Sequence, residues 1–302
     1  MVAMKRRYRN LLTAAAACAA AGSGLAAPAG AGPAAAATVS NWIVSSHAIA
    51  LIDGYLGSTT LTTNAFDASS TAEIGKPAMG WVSKRTATYA FYGPVSKSSS
   101  FLYALKHGQV PEGTIYVMLD LESWALTPHS EQVTPKVYMR EFVATASEHG
   151  YQAILAPSID LTNGMTCNKT TDPAWKNYLV NCSVPTIVAQ AKPAVYEIQS
   201  QRFEANTSAS SNCGCFAWFV SQSAAQSRGT VEGLDVGAGL STNPSGHAST
   251  GQTLYTDTHN TSGSVNGYWL NVPEQSTTCP NCVPGGAPQI AVSYLELLGY
   301  SP

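Results

Sequence analysis

Seven short apolar runs recur along the chain, at Ala48–Asp53, Thr86–Tyr92, Thr114–Glu122, Gln152–Ser158, Ala194–Gln201, Leu234–Ser241 and Val265–Asn271. They are rich in β-branched and aromatic residues and mostly apolar on both faces, the pattern of buried parallel strands. Longer amphipathic stretches between them predict helices at Ser98–His107, Pro135–His149, Val184–Lys192, Phe216–Arg228 and Gly251–His259, with a last one at Ile290–Leu298. Pro135 opens its helix where the missing N–H costs nothing, and Gly150 closes it where a left-handed residue is needed. This alternation predicts a parallel α/β fold. With an eighth strand expected between Leu56 and Ser83, the count favours a (β/α)8 TIM-like barrel with room for one irregular or missing strand. No glycine-rich phosphate fingerprint follows the first run, which argues against an open nucleotide-binding sheet and against a bound cofactor.

The first residues break the pattern. Lys5, Arg6, Arg7 and Arg9 precede an apolar run from Leu11 to Ala21, and small residues continue to Ala37. That order is the one of a secretory signal peptide. A membrane anchor is the alternative, but the run is mostly Ala and shorter than the roughly 20 residues that a span needs. The expected organisation is a signal peptide and Ala-rich leader over residues 1–37 and one barrel domain over residues 38–302, secreted and monomeric, with no membrane span.

Composition narrows the class. Hydrophobic residues make up 45% and charged ones 11%, too little charge for a disordered or coiled-coil chain. The net charge is -2, and removing the four leader cations leaves 12 basic against 18 acidic side chains, or -6. Nothing in that balance would hold nucleic acid.

Cysteine usage agrees with export. Cys18 leaves with the leader, and Cys167, Cys182, Cys213, Cys215, Cys279 and Cys282 remain, an even set that suggests disulfides. The local pairings would be Cys167–Cys182, Cys213–Cys215 and Cys279–Cys282. Cys279-Pro-Asn-Cys282 has zinc-knuckle spacing, but no second such pair and no nearby His accompany it, so a structural staple is expected and no metal.

Candidate chemistry gathers at the ends of the predicted strands, where barrel active sites lie. In Ile115–Glu122, alternation puts Tyr116, Met118, Asp120 and Glu122 on one face and Val117, Leu119 and Leu121 on the other. The aliphatic face should meet the helices, so Asp120 and Glu122 point into the barrel mouth. Burial and mutual repulsion would raise the pKa of at least one, as a general acid requires. The alternative is that each carboxylate only pairs with a cation, for which Lys84, Arg85 and Arg202 are the candidates.

Other strand ends add Asp53, Tyr92, Ser158 and Asp160, the in-line set Glu197, Gln199 and Gln201, and Trp269 with Asn271. Trp124 follows the Asp-Leu-Glu segment directly. Carboxylates, amides and an indole face are groups that hold a sugar ring, although either Trp could equally be core. The chain contains no nucleophile elbow, His-Glu-x-x-His or P-loop sequence. Of the six histidines only His129 is well placed for the site.

Asp120-Leu-Glu122-Ser-Trp124 resembles the carboxylate strand of TIM-barrel glycoside hydrolases, the chitinase-like family being the nearest. The resemblance implies Glu122 as the acid, Asp120 as its assisting carboxylate and Trp269 as the floor of a sugar subsite. Tyr116 and Met118 stand where that family carries further acids. Gly239–Gly246 and Gly267–Pro273 are similar to segments of secreted proteins of unknown function. The leading expectation is a secreted glycoside hydrolase acting on an extracellular glycan. A catalytically inactive carbohydrate-binding barrel and a cell-envelope interaction protein are the alternatives.

Overall fold

A computed structural model describes residues 41–45, 66–68, 76–77, 79–83, 88–95, 98–110, 114–123, 127–204, 214–242, 250–272 and 286–299. All of them belong to the unit Ala36–Pro302. The leader, the predicted strand Ala48–Asp53 with Asp53, and Trp124, Cys213, Cys279 and Cys282 lie outside the described residues.

The strands are β1 (Asn41–Ser45), β2 (Phe66–Ala68), β3 (Lys76–Pro77), β4 (Met79–Ser83), β5 (Thr88–Val95), β6 (Thr114–Leu121), β7 (Gln152–Pro157), β8 (Val195–Ile198), β9 (Asp235–Ser241) and β10 (Gly267–Asn271). The main helices are α1 (Ser98–Lys106), α2 (Pro135–Glu148), α3 (Val184–Ala191), α4 (Phe216–Thr230), α5 (Gly251–Thr261) and α6 (Gly286–Leu297). From β6 onward the expected alternation holds. Strands β6 to β10 pair in chain order, all parallel, and curl into a half-barrel.

The N-terminal part departs from strict alternation. Beyond β10 the sheet continues with β1 in parallel and then with β4, which is antiparallel to both β1 and β5. β5 also pairs in parallel with β6. The interval Leu56–Ser83, where one hidden strand was expected, holds β2, β3 and β4. β1 has no counterpart among the predicted runs. Its five residues, Asn-Trp-Ile-Val-Ser, are too short for alternation to stand out from a buried turn of helix.

Four of the parallel strands, β6, β7, β8 and β10, serve two cores. Val117, Leu119 and Leu121 of β6 join Leu155, Tyr196, Ile198, Val236, Leu240 and Leu270 in the layer facing the helices. Met118, Ile154, Ala156, Val195 and Trp269 form the smaller core on the inner, concave face. Alternation in the sequence therefore becomes two-sided burial, with each fully buried Val, Leu or Phe contributing about 1.5–3 kcal/mol. α2 closes one side by burying Met139, Phe142 and Ala146, spaced to share one stripe, and Phe142 meets Phe101 of α1 at 5.1 Å between ring centroids. At its end, Gly150 takes φ 81° and Tyr151 N–H bonds Ala146 O at 2.8 Å, closing the helix as its sequence predicts.

Two glycines on the inner face of β9 make room for neighbouring side chains. A Cβ on Gly237 would stand 1.9 Å from Glu197 Oε2, and one on Gly239 would stand 2.5 Å from Gln201 Nε2. The expected disulfide Cys167–Cys182 is present, and Cys215 is also disulfide-bonded. Among the described residues no helix is long and apolar enough to cross a membrane.

Candidate active site

The carboxyl ends of β6, β7 and β8 are fastened together by one amide. Gln199, the first residue past β8, donates through Nε2 to Asp120 Oδ1 at 2.5 Å and to Ala156 O at 2.7 Å. A side chain from the third strand thus reaches the first across the second. Asp120 is buried and on the inner face, since its Cα partner is Ala156 of the inner core. Alternation from Met118 to Asp120 predicts that direction.

A second carboxylate comes from the turn after β7. Ser158 N–H donates to Leu121 O at 2.8 Å, carrying the β6–β7 pairing one residue beyond the strands. A 3-10 turn, Ile159–Gly164, follows and is anchored by buried Ile159, Leu161 and Thr162. Asp160 in its first turn accepts hydrogen bonds from Ser158 Oγ and, at 3.1 Å, from Ser123 N–H. Ser123 Oγ donates to Gln132 Oε1 at 3.2 Å, and Gln132 Nε2 donates to Thr127 O at 2.7 Å. The loop after β6 and the turn after β7 therefore form one hydrogen-bonded unit.

Glu122 sits between these groups, half-buried. Burial first, and the charge of Asp160 second, push its carboxyl up to about 7, while hydrogen bonding with Gln199 pulls the other way. Among the described residues neither Glu122 nor Asp160 has a salt-bridge partner; Lys176–Asp172 is the ion pair found there. Arg202, one expected cation, is exposed, and Lys84 and Arg85 lie outside the described residues. A carboxyl half-ionised near neutrality can both give and take a proton, the requirement for general acid–base work.

Below this ring lies a second set of polar groups. Glu197 is fully buried against Gly237, and both carboxyl oxygens lack a hydrogen-bond partner among the described residues. Burial holds its carboxyl well above the usual range. Trp269 is 6% exposed and packs with Met118, Ile154, Ala156 and Val195, and its indole N–H also lacks a partner among the described residues. Its indole is a core element in this structure and offers solvent no open face.

The expected in-line set Glu197, Gln199 and Gln201 is not one strand. β8 ends at Ile198, and Gln201 begins a 3-10 turn, Gln201–Phe203, yet its amide still lies over Gly239. Where the chain turns, Ser200 Oγ donates to Gly239 O at 2.8 Å and so keeps the segment joined to β9. Asn271 ends β10, half-buried, opposite Ser241. Tyr92 lies on β5 with Val117 and Phe66 as Cα partners. His129 is exposed at the start of the short helix His129–Val133.

Ser123, Gln132, Glu204 and Asp257 were not candidates from sequence. Glu204 Oε1 accepts from Ser241 N–H at 2.5 Å. Asp257 on α5 is buried, and its carboxyl, pushed up to about 9 by burial and then by the nearby Glu204, has no hydrogen-bond partner among the described residues. The one signal for Asp257 was an acid in the apolar stripe of α5, three residues after buried Leu254. Among the described residues no group of three or more His, Cys, Asp or Glu is arranged around a metal position. Compared with known proteins, the chain matches no protein family and no curated protein sequence.

Proposed function

We propose that this chain is a secreted glycoside hydrolase that cleaves an extracellular glycan at the ends of β6, β7 and β8. The observation that carries this reading is Glu122, a half-buried carboxyl raised to about 7 beside Asp160 and within reach of the Gln199–Asp120 pair. Protonated Glu122 gives its proton to the glycosidic oxygen as the bond from that oxygen to the anomeric carbon breaks. Positive charge develops on the sugar, and Asp120, held in place by Gln199, stabilises it. Water then adds its hydroxyl to the anomeric carbon and returns a proton to Glu122, which restores the site. Asp160 sets the proton affinity of Glu122 through its charge.

The fold we infer around this site is a (β/α)8-type barrel in which β4 is reversed, supported by the pairing of β5 with both β4 and β6. Export rests on the leader at Lys5–Ala37, and the protein acts as a monomer without a cofactor. The test is incubation of the secreted protein with a panel of extracellular polysaccharides and detection of new reducing ends. Release by the wild type that Glu122→Gln abolishes supports the assignment, and release undiminished in Glu122→Gln ends it.

A further inference from the structure

Away from the strand ends, the outer layer carries a groove of about 410 Å³. One wall is a face of α4, where Trp218, Gln222 and Gln226 recur every four residues. The opposite wall is the segment Ala174–Asn181, which supplies Trp175, Leu179 and Val180. The two indoles meet edge to face, 4.9 Å apart with an 86° angle between planes, and so make a corner. Both are half-buried, and Val180 is 59% exposed.

The chemistry of the lining selects its ligand. Among the described residues no lining side chain is ionisable, and the groups the groove presents are indoles, aliphatic side chains and amides. Gln222 is exposed, and Gln226 Nε2 is taken by Leu179 O at 3.2 Å, which leaves the Gln226 carbonyl oxygen to accept. Indole faces for the apolar side of a pyranose, and amides for its hydroxyls, are what a neutral sugar needs. The volume falls within the roughly 300–1,000 Å³ of small-ligand sites.

The groove is also held rigid. Leu179 and Val180 sit on a π-helical turn, Asn177–Asn181, a rare form that recurs at functional sites. The Cys167–Cys182 disulfide closes that segment, and Asp172 ties Lys176 at 2.9 Å and Asn181 at 2.9 Å. Trp175 lies over Gly214, where a Cβ would stand 2.7 Å from ring Cδ1 and where φ is 61°. Both facts call for glycine there.

We propose that this groove is a second binding site for a neutral glycan strand, separate from the site at the strand ends. The proposal rests on the reading of the ligand as a glycan. The test follows the full chain carrying Glu122→Gln, which removes turnover, in native gels cast with laminarin, glycol chitin, hydroxyethyl cellulose or dextran. At least one polysaccharide should retard the protein, and Trp218→Ala should weaken the retardation about tenfold. In the wild-type background, Trp218→Ala should leave cleavage of a short soluble oligosaccharide unchanged. Gln222→Ala, at an exposed position that leaves folding intact, should weaken the same retardation with an unchanged Tm.

Retardation by none of the four polysaccharides, or unchanged in both variants, overturns the proposal. So does a concentration-dependent dimer in sedimentation that Gln222→Ala dissociates, which assigns the groove to a second copy. Retardation that depends on Trp218, without any hydrolysis by the wild type, leaves the groove standing and removes the hydrolase reading. Hydrolysis with mobility indifferent to both substitutions does the reverse.

Discussion

Gln199 Nε2 stands 2.5 Å from Asp120 Oδ1, and the same nitrogen reaches Ala156 O at 2.7 Å, so a single amide sets the spacing of three strand ends. Its partner Asp120 is buried, so losing the bond is costly. Gln199→Leu, similar in size, should lower stability by about 1–3 kcal/mol. Urea unfolding measures this, and a midpoint equal to that of the wild type would show that the tie carries no load.

In the proposed mechanism Glu122 sets the pH dependence of turnover. As a general acid it works protonated, and with its carboxyl at about 7, kcat/KM should fall as pH rises through that value. Asp160 is the charged neighbour that raises it, so Asp160→Asn should move this alkaline limb to lower pH. Glu122→Gln should lower kcat by about 10²–10⁴-fold and leave the Kd for glycan nearly unchanged. pH–rate profiles of the three proteins check both statements, and an alkaline limb unmoved in Asp160→Asn would detach Asp160 from the acid.

Much of this site is legible along the chain, for a physical reason. Alternation in Thr114–Leu121 is strict, so the inward direction of Asp120 and the outward one of Val117, Leu119 and Leu121 follow from a period of two. Among the helices, α1, α2 and α6 are each followed by a left-handed glycine, Gly108, Gly150 and Gly299, and α5 opens on Thr250, whose hydroxyl accepts from Thr253 N–H. The proximity of Asp160 to Glu122 is a matter of register between β6 and β7, set by tertiary pairing and invisible in either segment alone. The order of β1, β4 and β5 fails for the same reason, since antiparallel insertion leaves no mark on a five-residue strand. Trp269 could not be divided between core and ligand platform from its neighbours in sequence, and packing with Met118 and Val195 places it in the inner core.

Asp257 carries a stability signature distinct from catalysis. Its folded carboxyl lies at about 9, above the ordinary 3.8, so the folded protein holds a proton there that the unfolded chain releases. Stability therefore falls as pH rises between those values, by about 1.4 kcal/mol per pH unit for one group. Asp257→Asn keeps the shape without the titration. It should be more stable than the wild type at pH 8 and show a smaller gain at pH 5. Thermal unfolding at the two pH values decides, and equal gains at both would place the cost elsewhere.

The disulfide Cys167–Cys182 spans 15 positions in sequence, a loop whose closure is worth about 3 kcal/mol through the unfolded chain. Cys167→Ser combined with Cys182→Ser should lower stability by about that amount. Because the bridge also holds the turn bearing Leu179 and Val180, hydrogen exchange in residues 174–181 should quicken more than in β6 or β7. Uniform acceleration across the sheet would mean that the bridge acts on the whole domain alone.

The contact between Glu197 and Gly237 has a consequence for how this sequence can change over time. A side chain of any kind at 237 would occupy the place of the Glu197 carboxyl, because a Cβ there lies 1.9 Å from Oε2. The two positions are therefore one heritable unit, in which the order of substitutions matters. A lineage gains bulk at 237 most readily where position 197 has become smaller or its carboxyl has swung aside. Variants of this chain that carry a side chain at 237 should therefore favour a residue shorter than Glu at 197, whereas those with Gly at 237 are free at 197.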